Sequence, residues 1–212
     1  AARGGQIARS TDLPCLIDAD TGFGEPMNVA RTIQELEDAG LAGCHIEDQI
    51  NPKRCGHLDG KAMVDLQTAT KRIRAATDGR RDENFLVMAR TDLRATEGLD
   101  AAIDRMKALV DAGADAIFPE ALTDAEMFRE FARRVQAPLL ANMTEFGRTP
   151  QMTAKEFEEM GYRMIIWPVS ALRVAAKAHE KLYRVLKSEG SAKSMLPHMQ
   201  TRQELYETID YA

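Results

Sequence analysis

The pattern of the chain predicts a parallel α/β fold, and within that class a (β/α)8 TIM-type barrel lacking its first two βα units. Three observations carry this expectation. Short apolar runs alternate strictly with segments of helical periodicity, the arrangement of a parallel sheet covered by helices. The runs are apolar throughout rather than at every second position, as in strands buried on both faces. Nearly every run also ends in a polar or charged residue. A barrel gathers catalytic groups from the C-terminal ends of many strands, whereas an open doubly wound sheet concentrates them at one switch point.

The elements follow in order. The residues before Leu13 are polar and read as the last helix of an earlier unit. Leu13-Pro14-Cys15-Leu16-Ile17-Asp18-Ala19-Asp20 is a strand ending in two acids, and Thr21 to Pro26 is turn chemistry. A helix over 27–39 carries Val29, Ile33, Leu36 and Ala39 on one face and stops at Gly40. Strand 43–48 leads to the loop Asn51-Pro52-Lys53-Arg54-Cys55-Gly56-His57 and a helix over 65–77. Strand 85–92 precedes a helix over 98–112, and strand 116–120 a helix over 123–135. Strand 138–144 precedes a helix over 153–160, and strand 164–169 a long helix over 170–188. A helical tail from about 190 closes with an amphipathic helix over 201–209. Six strands against the eight of a closed barrel predict two missing N-terminal units, and the open edges would need upstream residues or a partner. The whole of 1–212 is expected to form one partial barrel domain.

Composition narrows the function. The 212 residues carry a net charge of -5, with 44% hydrophobic and 29% charged residues, ordinary for a globular protein. The acidic balance argues against a nucleic-acid partner, and no apolar run approaches the ~20 residues of a membrane span. Three cysteines without a CxxC pair exclude a disulfide framework or zinc knuckle and fit a reducing compartment, the cytoplasm or a mitochondrial matrix. Cys15 and Cys44 sit in apolar strands and read as core. Cys55 lies between Lys53, Arg54 and His57, where positive charge favours the thiolate; on its own this loop reads equally as a solvated basic turn.

The strand ends supply the other groups. Asp18 and Asp20, two apart on a strand, face the same way, and two such carboxylates require a neutralising cation. Mg2+, or Mn2+, suits an all-oxygen site and needs only one or two direct carboxylates, with Glu47 and Glu120 as outer ligands through water. Each acid alone also reads as a helix cap or surface charge; four on one rim point to a metal. No strand carries a Lys for Schiff-base chemistry, and no Gly-rich loop offers a phosphate site after the last strand. Arg90, Arg173, Asn142 and Thr144 instead suit a polycarboxylate, since guanidinium forks match carboxylates. Metal, Arg and thiol together point to carbon–carbon cleavage beside a carboxylate, with Cys55 protonating the carbanion and Lys53 and His57 tuning it.

Asp-Ala-Asp-Thr-Gly-Phe-Gly at 18–24, His-Ile-Glu-Asp-Gln at 45–49, Lys-Arg-Cys-Gly-His at 53–57, Ala-Arg-Thr-Asp at 89–92, Phe-Pro-Glu at 118–120 and Asn-Met-Thr-Glu-Phe-Gly at 142–147 resemble the isocitrate lyase and phosphoenolpyruvate mutase superfamily. With Met-Gln-Thr-Arg-Gln-Glu-Leu-Tyr-Glu at 199–207 the resemblance is nearest to its methylisocitrate lyase branch. It covers essentially the whole chain. It implies a Mg2+-dependent barrel, a homotetramer with a helix swapped between neighbours, that cleaves 2-methylisocitrate to pyruvate and succinate in propionate catabolism. By the same resemblance Asp18, Asp20 and Glu47 are metal positions and Cys55 the catalytic acid. Cys55, Gly56, Arg90, Glu120, Asn142, Met143, Thr144, Arg173 and Arg202 are implied as substrate contacts; Arg202 comes from the resemblance alone. The family's Ser-Gly-Gly substrate loop, a further metal-shell Asp and a candidate base have no counterpart between residues 1 and 212.

Alternatives stay open. A dimethylmalate lyase, an isocitrate lyase or a carboxyphosphonoenolpyruvate mutase would share the Cys loop. An inactive barrel serving as an assembly or binding subunit is the reading from another class, and a redox-sensing thiol protein would need a resolving Cys nearby. Relatives acting on isocitrate carry a bulkier aromatic where Phe118 stands, which makes Phe118 the candidate specificity residue. Glu47 and Arg90 lie 43 residues apart, against 29 and 30 for the flanking strand-end spacings. The extra length predicts that the Cys55 loop is a catalytic lid.

Overall fold

The computed structural model describes residues 1–55 and 60–211, arranged as two compact units, Ala1–Trp167 and Pro168–Ala212. The boundary falls upstream of residue 190, so the long helix expected to close the last βα unit groups with the tail.

The first unit opens with α1 (Ala2–Ala8) and contains β1 (Leu16–Asp18), β2 (Gly43–Glu47), β3 (Leu86–Thr91), β4 (Ala116–Pro119), β5 (Leu140–Asn142) and β6 (Met164–Ile166). The first four pair in parallel in chain order, and β5 pairs in parallel with β6. A single parallel bridge, Ile117 to Leu139, ties β4 to the residue before β5. The order never reverses, as it would in a doubly wound sheet.

Period-two alternation splits each strand between two faces. Ile17, Cys44, Ile46, Val87, Ala89, Ile117, Leu139, Ala141 and Ile165 belong to the large core shared with the helices. Met88, Ala116, Phe118 and Leu140 form a second apolar cluster on the other face, with Leu86, Met164 and Ile166 against it. Burial on both faces of β2, β3 and β4 is why they read as continuous apolar runs. The spacing between β2 and β3 is set at their start by Gly43. A Cβ there would meet the Leu86 carbonyl oxygen at 2.6 Å, so no larger residue fits the present register.

Between the strands lie α2 (Pro26–Asp38), α3 (Leu66–Gly79), α5 (Leu99–Asp111), α6 (Ala125–Arg134) and α7 (Ala154–Glu159). α3, α6 and α7 start on a side chain that accepts from an orphan amide. Asp65 accepts from the Thr68 N–H, Asp124 from the Met127 N–H, and Thr153 forms a capping box with Glu156. α2 buries the stripe Val29, Ile33 and Leu36, and α5 the stripe Ala102, Ile103, Met106 and Leu109. Phe128, Phe157 and Tyr162 meet edge-on, with centroids 5.0–5.6 Å apart. The helix expected from 98 is preceded by a short α4 (Arg94–Glu97), separated from α5 by Gly98 at φ 90°. No L side chain takes that backbone easily.

In the second unit α8 (Ser170–Glu189) ends on left-handed Gly190. A 3₁₀ turn, Lys193–His198, leads to α9 (Arg202–Thr208), whose first turn is closed by a Thr201–Glu204 capping box. Among the described residues no helix is long and apolar enough to cross a membrane.

Candidate active site

Register builds the site. Pairing of β2 with β3 sets Glu47 beside Arg90, and pairing of β3 with β4 sets Arg90 beside Phe118. The Arg90 Nε lies 3.3 Å from Glu47 Oε2 and 3.1 Å from Asp92 Oδ2, and Nη2 lies 3.5 Å from Glu120 Oε2. Its guanidinium carbon stands 5.0 Å over the Phe118 ring centre, a favourable cation–π placement. Burial opposes the charge on Arg90, but Glu120, Asp92 and Glu47 more than offset it and hold the guanidinium protonated. Asn142 Nδ2 donates to both Glu120 oxygens, at 3.4 and 3.2 Å, while its Oδ1 accepts from the Thr144 N–H at 2.9 Å. Arg90, Glu120, Asn142 and Thr144, read separately as strand ends, are therefore one connected group.

A second group adjoins it. Lys53 Nζ lies 2.5 Å from Asp20 Oδ1, 3.5 Å from Asp18 Oδ2 and 3.6 Å from Glu47 Oε2. Asp18 and Asp20 converge as expected but for a different reason than strand alternation. The strand stops at Asp18, and Asp20 sits in left-handed backbone at φ 50° with its N–H on Asp18 Oδ1 at 2.8 Å. A tight turn, anchored by the Glu47 N–H on the Asp20 carbonyl, brings the two together. Lys53, expected to tune the thiol, sets its ammonium against these three carboxylates. Burial pushes the Asp18 carboxyl up, but His45, the Asp20 N–H, Lys53 and Arg90 pull further and hold it below its ordinary range. His45 Nδ1 lies 3.7 Å from Asp18 Oδ1, and its ring meets Phe118 edge-on at 5.3 Å. Burial pushes the imidazole below its usual range.

Glu47 is the anomaly. Its side chain is fully buried, and among the described residues neither carboxylate oxygen has a hydrogen-bond partner. Burial pushes its carboxyl up to about 7 despite Arg90 and Lys53. Buried polar atoms are normally satisfied, and an exception asks for a missing partner.

The Cys55 loop is fastened at its base. Gln49 clasps Arg54, its Nε2 donating to the Arg54 carbonyl at 2.8 Å and its Oε1 accepting the Arg54 N–H at 2.9 Å. Asn51 donates to Thr21 Oγ1 at 2.8 Å. Gln49 and Met63 form an antiparallel bridge, with Ile50 N–H on the Ala62 carbonyl and Val64 N–H on the Asp48 carbonyl, both at 2.8 Å. Cys55 itself is exposed, whereas Cys44 is buried and its thiol is pushed up to about 12 by burial, with Asp18 adding. Cys15 is half-buried against the core. Gly56 and His57 lie outside the described residues.

Of three further expected substrate contacts, one has its side chain in the core and two belong to the second unit. The Met143 side chain is buried in the main core, as alternation from Asn142 requires, and its N–H is taken by the Ile166 carbonyl at 2.8 Å. Arg173 and Arg202 belong to the second unit, in the first turns of α8 and α9. In the other direction, Asp48, Gln49 and Lys61 are buried polar residues given no role by the sequence, and Asp92, a polar strand end, is buried with them. For Asp48 the signal is an acid directly after a strand-end charge, in Glu47-Asp48.

The residues fit a hard divalent cation. Asp18, Asp20 and Glu47 are all-oxygen donors already gathered around one positive centre, and the Glu47 oxygens want a partner. Among the described residues no three His, Cys, Asp or Glu side chains close a full ligand shell. Mg2+ does not require one, because it keeps most of its waters.

The phosphoenolpyruvate phosphomutase family model matches residues 2–187. A probable 2-methylisocitrate lyase of Corynebacterium glutamicum is 55% identical over all of this chain and 70% of its own. The 2-methylisocitrate lyase of Bacillus subtilis is 52% identical over all of this chain and 69% of its own. Among solved structures, a 2,3-dimethylmalate lyase superposes with a TM-score of 0.90 at 41% identity, covering 98% of this chain and 70% of that one. A phosphonopyruvate hydrolase in complex with oxalate and Mg2+ superposes with a TM-score of 0.84 at 25% identity, over 96% of this chain and 71% of that one. With the strand-end motifs, the shared fold and these identities together, the chain belongs to the PEP mutase/isocitrate lyase superfamily.

Proposed function

We propose that the chain acts as a 2-methylisocitrate lyase, cleaving its substrate to pyruvate and succinate. The observation that carries this reading is Glu47, buried between the Asp18–Asp20 pair and Arg90 beside the root of the Cys55 loop, with oxygens that lack hydrogen bonds among the described residues. The identity to 2-methylisocitrate lyases over the full chain supports the choice of substrate.

Asp18, Asp20 and Glu47 would hold Mg2+ or Mn2+, directly or through water, and the ion when bound supplies Lewis-acid polarisation of the substrate hydroxyl and carboxylate. Arg90 binds a substrate carboxylate, and Glu120 and Asn142 fix that guanidinium from the next two strands. Met143, Thr144, Gly56, Arg173 and Arg202 are the remaining substrate-contact positions that the family resemblance implies. Collapse of the deprotonated hydroxyl to the carbonyl of pyruvate breaks the carbon–carbon bond and leaves the electron pair on the succinate fragment as an enolate. Preorganised positive charge at Arg90 stabilises that developing charge without reorganisation. Cys55 Sγ then gives its proton to the carbanion, and His57 and Lys53 adjust its readiness to do so. In this reading the six strands belong to a (β/α)8 ring, the assembly is a homotetramer with a swapped helix, and the enzyme works in a reducing compartment.

Pyruvate release from 2-methylisocitrate with Mg2+ tests the reading; no release overturns it. Cys55→Ala should lower kcat by about 10²–10⁴, the usual worth of a general acid. The structural likeness to 2,3-dimethylmalate lyase favours dimethylmalate as the second substrate to assay. Phe118→Trp should move preference toward isocitrate, because Phe118 walls the space beside Arg90 and one methyl is worth about 1–3 kcal/mol. Unchanged substrate ratios would remove Phe118 from the account.

A further inference from the structure

The Asp92 carboxylate is fully buried and faces two cations with different jobs. Its Oδ2 accepts from Arg90 Nε at 3.1 Å, and its Oδ1 accepts from Arg90 Nη2 at 3.4 Å. The same Oδ1 accepts from Lys61 Nζ at 3.0 Å, and the Lys61 side chain is 2% exposed. Lys61 stands on the returning stem of the Cys55 loop, next to Ala62 and two residues before Met63, which pair with Ile50 and Gln49. The stem is tied to the same place by a second acid. Asp48 accepts from Thr91 Oγ1 at 2.6 Å, from Arg105 Nη1 at 3.1 Å and from the Asp92 N–H at 3.3 Å. Arg105 also donates to the Val64 carbonyl at 2.8 Å.

We infer that Asp92 is a positioning residue that couples the stem of the Cys55 loop, through Lys61, to the substrate-binding guanidinium of Arg90. One carboxylate cannot satisfy two cations without fixing their relative places. A shift of Arg90 on taking a substrate carboxylate is therefore felt by Lys61, and a loosened stem frees Arg90. The thiol that delivers the proton and the guanidinium that holds the anion are thus set against each other by a group touching neither substrate nor metal. The inference rests on the proposed lyase reading for the roles of Arg90 and Cys55 and for the choice of succinate as probe; the tie between the stem and Arg90 rests on the contacts alone.

Residue-resolved hydrogen exchange tests it. Without ligand, Lys61→Met and Asp92→Asn should each speed exchange at the Ile50, Arg54 and Val64 amides by about tenfold, the change expected for losing one buried hydrogen bond to a charge. Exchange at Met88 in β3 should stay as in the parent chain, and Lys61→Arg should restore the stem. Succinate with Mg2+ should slow these stem amides in the parent chain by about fivefold or more, a typical coupling between sites. That slowing should vanish in Lys61→Met and Asp92→Asn. Unchanged stem exchange in both variants, or equal slowing by succinate in them, overturns the inference. A role confined to stability would speed Met88 exchange along with the stem, and that result also overturns it. If the parent chain releases no pyruvate and succinate leaves its amides untouched, the lyase reading fails, and ligand-free exchange alone decides the coupling.

Discussion

Glu47 and Asp48 are neighbours, both acidic and both buried, and the molecule treats them in opposite ways. Alternation turns Glu47 to the face with Arg90 and Lys53, where its oxygens lie near cations yet lack hydrogen bonds. Asp48 turns to the other side and is bonded by Thr91, Arg105 and the Asp92 N–H. Burial raises both carboxyls, and at Asp48 three partners work against it. The contrast separates two uses of a buried charge. A saturated acid is part of the frame, and an acid left short of partners is held ready for something that arrives later.

The contrast breaks most visibly by mutation. Asp48→Ala should destabilise the chain by roughly 3–5 kcal/mol, the usual cost of stripping one side from a buried charge network, read as a fall in the denaturant midpoint. Glu47→Gln should leave stability of the metal-free chain unchanged or improved while lowering kcat by about 10² or more. Equal stability losses in the two variants would erase the distinction.

Titration gives the next largest effect. Glu47 keeps its proton to about 7 in the folded chain, against an ordinary 4.5. Between those values the folded state binds more protons than the unfolded one, so metal-free stability falls as pH rises across the window, by an amount on the order of 3 kcal/mol. Glu47→Gln should abolish that part of the pH profile, and an identical profile in the variant would count against the assignment. Lys53→Met sharpens the comparison most gently. With the competing ammonium gone, Mg2+ should bind roughly tenfold tighter, about 1.4 kcal/mol, measured by calorimetry; weaker binding would mean that Lys53 helps the ion rather than stands in for it.

Much of this is legible in the sequence alone. The alternation located every strand, and Asp18, Glu47, Arg90, Glu120 and Asn142 were visible as strand ends because an apolar run makes a terminal charge conspicuous. What stayed hidden depended on pairing across the chain. Lys61 and Asp92 are 31 residues apart, and Thr91 and Asp48 are 43; nothing local marks either pair. At Met143 the motif marks the position and not the face: the side chain goes to the core. Asp20 converged on Asp18 through a left-handed turn that strand periodicity does not describe.

Gly43 has a reach beyond its own position. It begins β2 against Leu86, and Glu47 ends the same strand against Arg90. The absent side chain therefore acts as an index mark, fixing how two rails lie side by side about 13 Å before the point where they must deliver their cargo. Sliding one rail by a single residue would send Glu47 into the helix-covered core and swing Ile46 toward the cations. Foldability and chemistry thus share one alignment, and a methyl group at Gly43 would misaim an acid it never touches.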